Sequence, residues 1–199
     1  PRELYALLGQ PAHAKHLDWS KTHIFWGDER CVGPEDPDSN YRMTREALLQ
    51  KVPLPAANIH RLHGESEPSV AAEVYESELR QHFGAEARFD LLLLGLGTDG
   101  HTASLFPGSP VLDEARRWVA AAADPHVAGR WRLTLTLPLL NAARRVDFLV
   151  AGADKAQPLA QVLRGGDASA ALPAARIRPR AGTLHFWADA AAAWLCQAS

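Results

Sequence analysis

The chain has 199 residues, of which 47% are hydrophobic and 22% charged, and a formal net charge of −2. These are the proportions of an ordinary soluble globular protein of one domain, and nothing in them points to nucleic acid or an anionic membrane as partner. No apolar run reaches membrane length, no signal peptide is visible, and two cysteines, Cys31 and Cys196, give neither a disulfide framework nor a metal spacing, so a reducing cytoplasm is the expected setting.

The first segment, PRELYALL, starts at Pro1 without a methionine and reads as the first turns of a helix, so residues are expected ahead of it. Its apolar face is Leu4, Leu7 and Leu8. His13 and His16 follow in a polar loop and read as solvated. A strand is expected over His23 to Trp26, ending in Gly27-Asp28-Glu29-Arg30. That triplet places two carboxylates and a guanidinium at a strand's carboxyl end; it is either part of a site or a solvated loop with an internal salt bridge, worth little in energy. After the Pro/Asp-rich loop Pro34 to Asp38, Asp38 or Ser39 caps a helix from about Asn40 to Lys51, with Tyr41, Leu48 and Leu49 inward.

Pro53 and Pro55 break the chain before a short strand, Ile59 to Leu62. His60 and His63 flank Arg61 there and make a weak metal pair, since alternate strand positions face opposite sides. A helix over Ser66 to Phe83 follows, with Val70, Val74, Leu79 and Phe83 at helical spacing and Gly84 as its stop.

The stretch from Asp90 to Gly108 organises the rest. Leu91 to Leu94 is an unbroken apolar run, the pattern of a strand buried on both faces. Gly95, Gly97 and Gly100 then allow a sharp turn and close approach to a ligand. A short helix is expected to start at this turn and to stop at Pro107-Gly108, offering N–H groups to an anion or oxyanion. Gly95-x-Gly97-x-x-Gly100 matches a dinucleotide fingerprint in letters only. Asp99 would put a carboxylate against the pyrophosphate, Pro107 cuts the helix short, and the second strand with its acidic end is missing. Two readings of Asp99-Gly100-His101 remain open: a proton-transfer pair, or a capping aspartate beside a solvated histidine.

Further strands are expected at Trp118 to Ala122, at Arg132 to Leu137 with half-exposed alternation, and at Arg145 to Val150. Pro138 to Ala142 reads as a short helix between the last two. Lys155 opens the helix Gln157 to Leu163, either as a phosphate partner or as a surface lysine. Ala171 to Arg180 is a Pro/Arg-rich connection, Thr183 to Trp187 a last strand, and Asp189 the cap of an Ala-rich helix. Strands alternate with helices throughout, which predicts an α/β fold with a mostly parallel sheet covered on both faces.

Several of these segments together resemble the 6-phosphogluconolactonase family. They are FWGDERCV with SNYRMTREALL, LLLLGLGTDGHTASLFPG, LPLLNAARRVDFLVAGADK, and LPAARIRP with the closing strand, in that order over nearly the whole chain. The resemblance implies a three-layer sandwich with a mostly parallel, Rossmann-like sheet, shared with sugar-phosphate deaminases and isomerases. It implies hydrolysis of 6-phospho-glucono-1,5-lactone to 6-phosphogluconate without metal or organic cofactor; a monomer is the expected state. On this resemblance His101 is the general base with Asp99 beside it. Arg30, Asp28, Asn40, Gly97 and Lys155 are the expected substrate-binding set, Lys155 holding the phosphate. The family's Gly-Gly-Ser/Thr-Thr-Pro phosphate loop is expected just before PRELYALL, so the single domain 1–199 is expected to lack its N-terminal strand, helix and phosphate loop.

A single base with oxyanion donors from the glycine turn suffices for an activated ester, and no Gly-x-Ser-x-Gly elbow is present. The alternative is glucosamine-6-phosphate deaminase, which resembles this chain up to the histidine but has a glutamate where Phe106 stands and an aromatic residue where Arg30 stands. A non-catalytic sugar-phosphate sensor on the same fold is the remaining alternative.

Overall fold

The structure, a computed structural model, describes residues 1–166, 169 and 171–196. The chain opens with α1 (Arg2–Leu8) and α2 (Pro11–Ala14), then β1 (Ile24–Phe25), β2 (Asp28–Arg30) and α3 (Asn40–Ala47). Next come β3 (Ile59–His60), the long α4 (Pro68–Phe83), β4 (Leu92–Leu94), β5 (Val119–Ala123) and β6 (Trp131–Leu135). The last part is α5 (Leu137–Leu140), β7 (Arg145–Val150), α6 (Ala156–Arg164), β8 (Thr183–Ala188) and α7 (Ala190–Ala193).

The architecture is mixed α/β, as expected. Parallel pairing joins β1 to β3, and β7 to both β4 and β8. Antiparallel pairing builds a separate sheet in the order β2-β6-β5. The charged triplet Asp28-Glu29-Arg30 is therefore a strand and not a loop, because β6 supplies partners for all three residues. Its alternation turns Glu29 inward, leaving it 2% exposed.

Several local expectations yield to packing. In α4, Val70 and Val74 point to solvent, and the buried face is Ala71, Ala72, Tyr75 and Leu79. Two alanines let the helix approach β5 and β6 closely, and the bulk comes from the tyrosine and leucine. Leu7 of α1 and Leu91 ahead of β4 are likewise exposed. The expected half-exposed strand at Arg132 is buried at its carboxyl end, where Leu133, Thr134 and Leu135 have no exposed surface. The Thr134 hydroxyl is satisfied locally, accepting from the Ser104 N–H at 3.2 Å and donating to the Leu135 carbonyl at 3.0 Å. β7 has its expected bounds, whereas α3 starts at Asn40 as expected but ends at Ala47, with a 3-10 turn over Leu49–Lys51.

Tyr75 fixes the layer between α4 and the β1–β3 pair. Its hydroxyl accepts from the Trp26 N–H at 2.9 Å and lies 3.1 Å from the His60 carbonyl, so one buried phenol ties the ends of both strands to the helix. Among the described residues, no helix is long and apolar enough to cross a membrane. Cys31 and Cys196 are free thiols. Burial, with the Glu29 carboxylate next, pushes the Cys31 thiol up to about 11, so it stays protonated.

Candidate active site

β4 and β7 run parallel with Leu94 opposite Phe148, and β7 continues two residues further to Val150. The glycine turn leaves β4 at this edge, and Lys155 follows β7 at the same edge. No helix starts at the turn. The next helical segment is the 3-10 turn Pro110–Asp113. The reason is geometric: Gly100 and Ala103 both have positive φ, at 81° and 49°, which a right-handed helix does not admit. The expected helix-dipole contribution is therefore absent.

The turn instead grips its own histidine. Asp99 Oδ1 accepts from the His101 backbone N–H at 3.0 Å and lies 2.6 Å from His101 Nδ1. A carboxylate only accepts, so Nδ1 carries a proton, and in the neutral ring Nε2 holds the lone pair. Burial alone would raise the Asp99 carboxyl. The hydrogen bonds from His101, with its charge, outweigh burial and hold Asp99 below the ordinary 3.8. The ring sits against buried Phe106, centroids 5.0 Å apart.

Gly97 has a steric role. A Cβ there would stand 2.0 Å from His101 Nδ1 and 2.7 Å from Asp99 Oδ1. Only glycine lets the imidazole and its carboxylate occupy that space. Gly100, besides its positive φ, would push a Cβ to 2.6 Å from Leu172. The turn amides expected to serve an oxyanion are partly spent. The N–H of Gly97 donates to the His101 carbonyl at 2.8 Å and that of Gly100 to the Gly97 carbonyl at 3.0 Å. With the His101 N–H on Asp99, these three amides hold the turn.

Asp28 and Asn40 are brought together and joined to this turn. Asn40 Nδ2 donates to the Asp28 carbonyl at 3.0 Å and to its Oδ1 at 3.2 Å. The Ser104 hydroxyl donates to Asp28 Oδ2 at 2.7 Å. Beneath them Glu29 accepts from the N–H groups of Arg30, Asn40 and Tyr41 at 2.7–2.8 Å and from the Ser39 hydroxyl at 3.0 Å. It caps the amino end of α3 from a neighbouring sheet. Burial pushes its carboxyl above 4.5, and these donors restrain the rise.

Arg30 faces a cleft of about 210 Å³ that also contains Asp38, Asp124, Arg130 and Arg132. Its Nη1 donates to the Asp38 carbonyl, and its buried Nε has no partner among the described residues. Asp124 pairs with Arg132 at 2.8 Å, and Arg130 with Asp38 at 2.8 Å. Lys155 pairs with Asp154 at 3.0 Å. Among the described residues no hydrogen bond or ion pair joins Lys155 to Arg30 or His101.

Sequence reasoning missed four residues. His126 Nε2 lies 3.4 Å from Asp99 Oδ2, so Asp99 stands between two imidazoles. Asp124 accepts from the His126 N–H at 2.9 Å, repeating the Asp99–His101 turn. That recurrence, Asp-x-His twice, was a signal in the letters. Glu29 and Ser104 stood inside the charged triplet and the polar turn, but nothing in the letters gave their roles, since their side-chain partners lie 10 and 76 residues away. Asp99, His101 and His126 offer ligand atoms within 4.8 Å of one another and are able to hold a divalent metal.

The chain matches the model of the family described as glucosamine-6-phosphate isomerases/6-phosphogluconolactonase over residues 1–186. A 6-phosphogluconolactonase of Synechocystis sp. is 45% identical over 185 residues, covering 90% of this chain and 74% of the relative. The crystal structure of devB protein superposes with a TM-score of 0.92 at 37% identity, covering all of this chain and 83% of that one. The 6-phosphogluconolactonase of Trypanosoma brucei superposes with a TM-score of 0.84 at 30% identity, covering 98% of this chain and 81% of that one.

Proposed function

The chain belongs to the glucosamine-6-phosphate isomerase and 6-phosphogluconolactonase family, and from that membership we infer that it is a 6-phosphogluconolactonase. It hydrolyses 6-phospho-D-glucono-1,5-lactone to 6-phospho-D-gluconate, a reaction of the oxidative pentose phosphate pathway. The observation that carries the chemical reading is the 2.6 Å contact of Asp99 with His101 Nδ1, which in the neutral ring leaves Nε2 as the proton acceptor.

In this reading Nε2 takes a proton from water as the oxygen attacks C1 of the lactone. A base so placed is typically worth ~10²–10⁴ in rate. The carbonyl oxygen gains the charge, and collapse of the tetrahedral intermediate breaks the bond from C1 to the ring oxygen. A proton delivered to that oxygen completes the hydroxy acid. Asp99 holds the imidazole in the productive tautomer and stabilises its charged form. Arg30 and Lys155 bind the anionic substrate, while Asp28, Asn40 and Gly97 shape the floor on which His101 stands.

Glucosamine-6-phosphate deamination is disfavoured by Phe106, an apolar ring against His101 that carries no proton. The test generates the lactone in situ and compares its hydrolysis with the spontaneous rate, with glucosamine 6-phosphate run in parallel. Lactone loss no faster than in buffer, or release of ammonia from the amino sugar, would overturn the assignment.

A further inference from the structure

Three histidines from three separate segments meet outside the site just described. His23 precedes β1, His60 ends β3, and His82 lies in the last turn of α4. His23 Nδ1 is 3.0 Å from His60 Nε2. His82 brings a ring nitrogen into the same group, all three ligand atoms lying within 4.8 Å of one another. The ring centroids are 5.3 Å apart for His23 and His60, 4.6 Å for His23 and His82, and 5.1 Å for His60 and His82. None of the three shares a hydrogen bond, ion pair or ring contact with Asp99, His101 or His126 among the described residues. The sequence reading paired His60 with His63 instead, whose partner is Glu65 at 3.4 Å.

The arrangement is prepared on its buried side. Glu78 Oε1 lies 2.6 Å from His60 Nδ1. The carboxylate only accepts, so the proton sits on Nδ1 and the Nε2 lone pair points into the cluster. This is the carboxylate–histidine pairing that orients metal-bound imidazoles. Glu78 and His82 are one turn apart on α4, so one helix supplies both a ligand and the group that aims another. Phe25 stacks on His60 with centroids 4.1 Å apart and planes within 4°, and Tyr75 anchors the His60 backbone. His60 is 8% exposed, whereas His23 and His82 are exposed, which leaves an entry path.

The spacing also fits. A tetrahedral zinc with nitrogens at about 2.0–2.1 Å sets those nitrogens about 3.3 Å apart. The His23–His60 pair already lies near that separation, and His82 has to close the remainder by a rotation of an exposed side chain. Imidazole ligands suit zinc, nickel, cobalt and copper over magnesium or calcium.

We propose that His23, His60 and His82 form a binding site for a divalent transition metal of the zinc class, with Glu78 orienting His60. The fourth position is open to water. Its role is structural: the ion staples the segment before β1, the end of β3 and the carboxyl end of α4, and stabilises the folded state by mass action.

The experiment titrates the metal-stripped full chain with Co²⁺ and with Zn²⁺, reading visible cobalt absorption and Tm. Because Asp99, His101 and His126 are a second possible acceptor, the reference protein carries His101→Ala and His126→Ala. One equivalent should still bind there, with the intense absorption of four-coordinate cobalt and a rise in Tm that Mg²⁺ does not give. Adding His23→Ala or His82→Ala should weaken binding more than tenfold, and Glu78→Gln about 10–100-fold. Both histidines are exposed, and an unchanged metal-free Tm shows that each variant folds. The proposal is overturned if the reference protein binds no equivalent, or if His23→Ala and His82→Ala bind as tightly as their parent.

Discussion

The Ser104 hydroxyl donates to Asp28 Oδ2 at 2.7 Å, linking the glycine turn to the first residue of β2. Ser104 is wholly buried, and its N–H donates to Thr134 on the neighbouring strand β6. One serine thus locks the turn that carries His101 onto the antiparallel sheet that carries Arg30. Ser104→Ala leaves a partly buried carboxylate oxygen short of a donor, at a cost of about 1 kcal/mol. Thermal unfolding should show the loss, and kcat should fall more than KM rises because the base is displaced. A Tm and kcat equal to wild type would show that the link is incidental.

Gly97→Ala separates geometry from stability. The three atoms nearest the added methyl all belong to the side chains of His101 and Asp99, so the fold can accommodate it by moving the imidazole. Turnover should drop by ~10²-fold or more, the scale expected for a 1 Å misplacement of a catalytic group, while Tm changes little. Full activity would place the working base elsewhere.

His101→Ala should remove ~10²–10⁴ of the rate and leave the fold intact. Asp99→Asn should also lower kcat, on the order of 10²-fold or more, because the amide no longer enforces the tautomer. The stability effect of Asp99→Asn depends on pH. The folded-state carboxyl is lowered from 3.8, so its contribution is fully present above that value and is lost as pH falls through the lower folded value. Unfolding measured from pH 7 down to pH 2 should show the gap between wild type and variant close only at the acid end. A gap that widens on acidification would reverse the assigned sign.

Arg30→Ala and Lys155→Ala should each raise KM for the lactone about 10–100-fold, the equivalent of ~1.5–3 kcal/mol for a hydrogen bond to a charged group. Because Lys155 pairs, among the described residues, only with exposed Asp154, its removal should leave Tm unchanged. Steady-state kinetics with both values of KM at wild type would remove these residues from substrate binding.

The inward face of α4 provides a stability test. Leu79 has no exposed surface, and Leu79→Ala should cost ~2–5 kcal/mol. Val74 is 53% exposed, and Val74→Ala should stay within ~0.5 kcal/mol. Chemical denaturation of the pair checks the facing of the helix; equal losses would mean that Val74 is packed in solution.

What could be read from the letters is what neighbours in sequence decide. The strand Leu92–Leu94, the turn with Gly97 and Gly100, and the approach of Asp99 to His101 are set by side-chain period and by contacts two to four residues apart. Asp28-Glu29-Arg30 could not be read as a strand, because its hydrogen-bond partners on β6 lie about a hundred residues away. The same holds for the Ser104–Asp28 link, for His126 beside Asp99, and for the meeting of His23, His60 and His82. The facing of α4 was also undecided locally: valine and alanine both fit its spacing, and the choice fell to how closely the helix approaches β5 and β6. Short-range steric and hydrogen-bonding rules act on every conformation of the chain, whereas these distant pairings exist only once packing has closed the long loops between them.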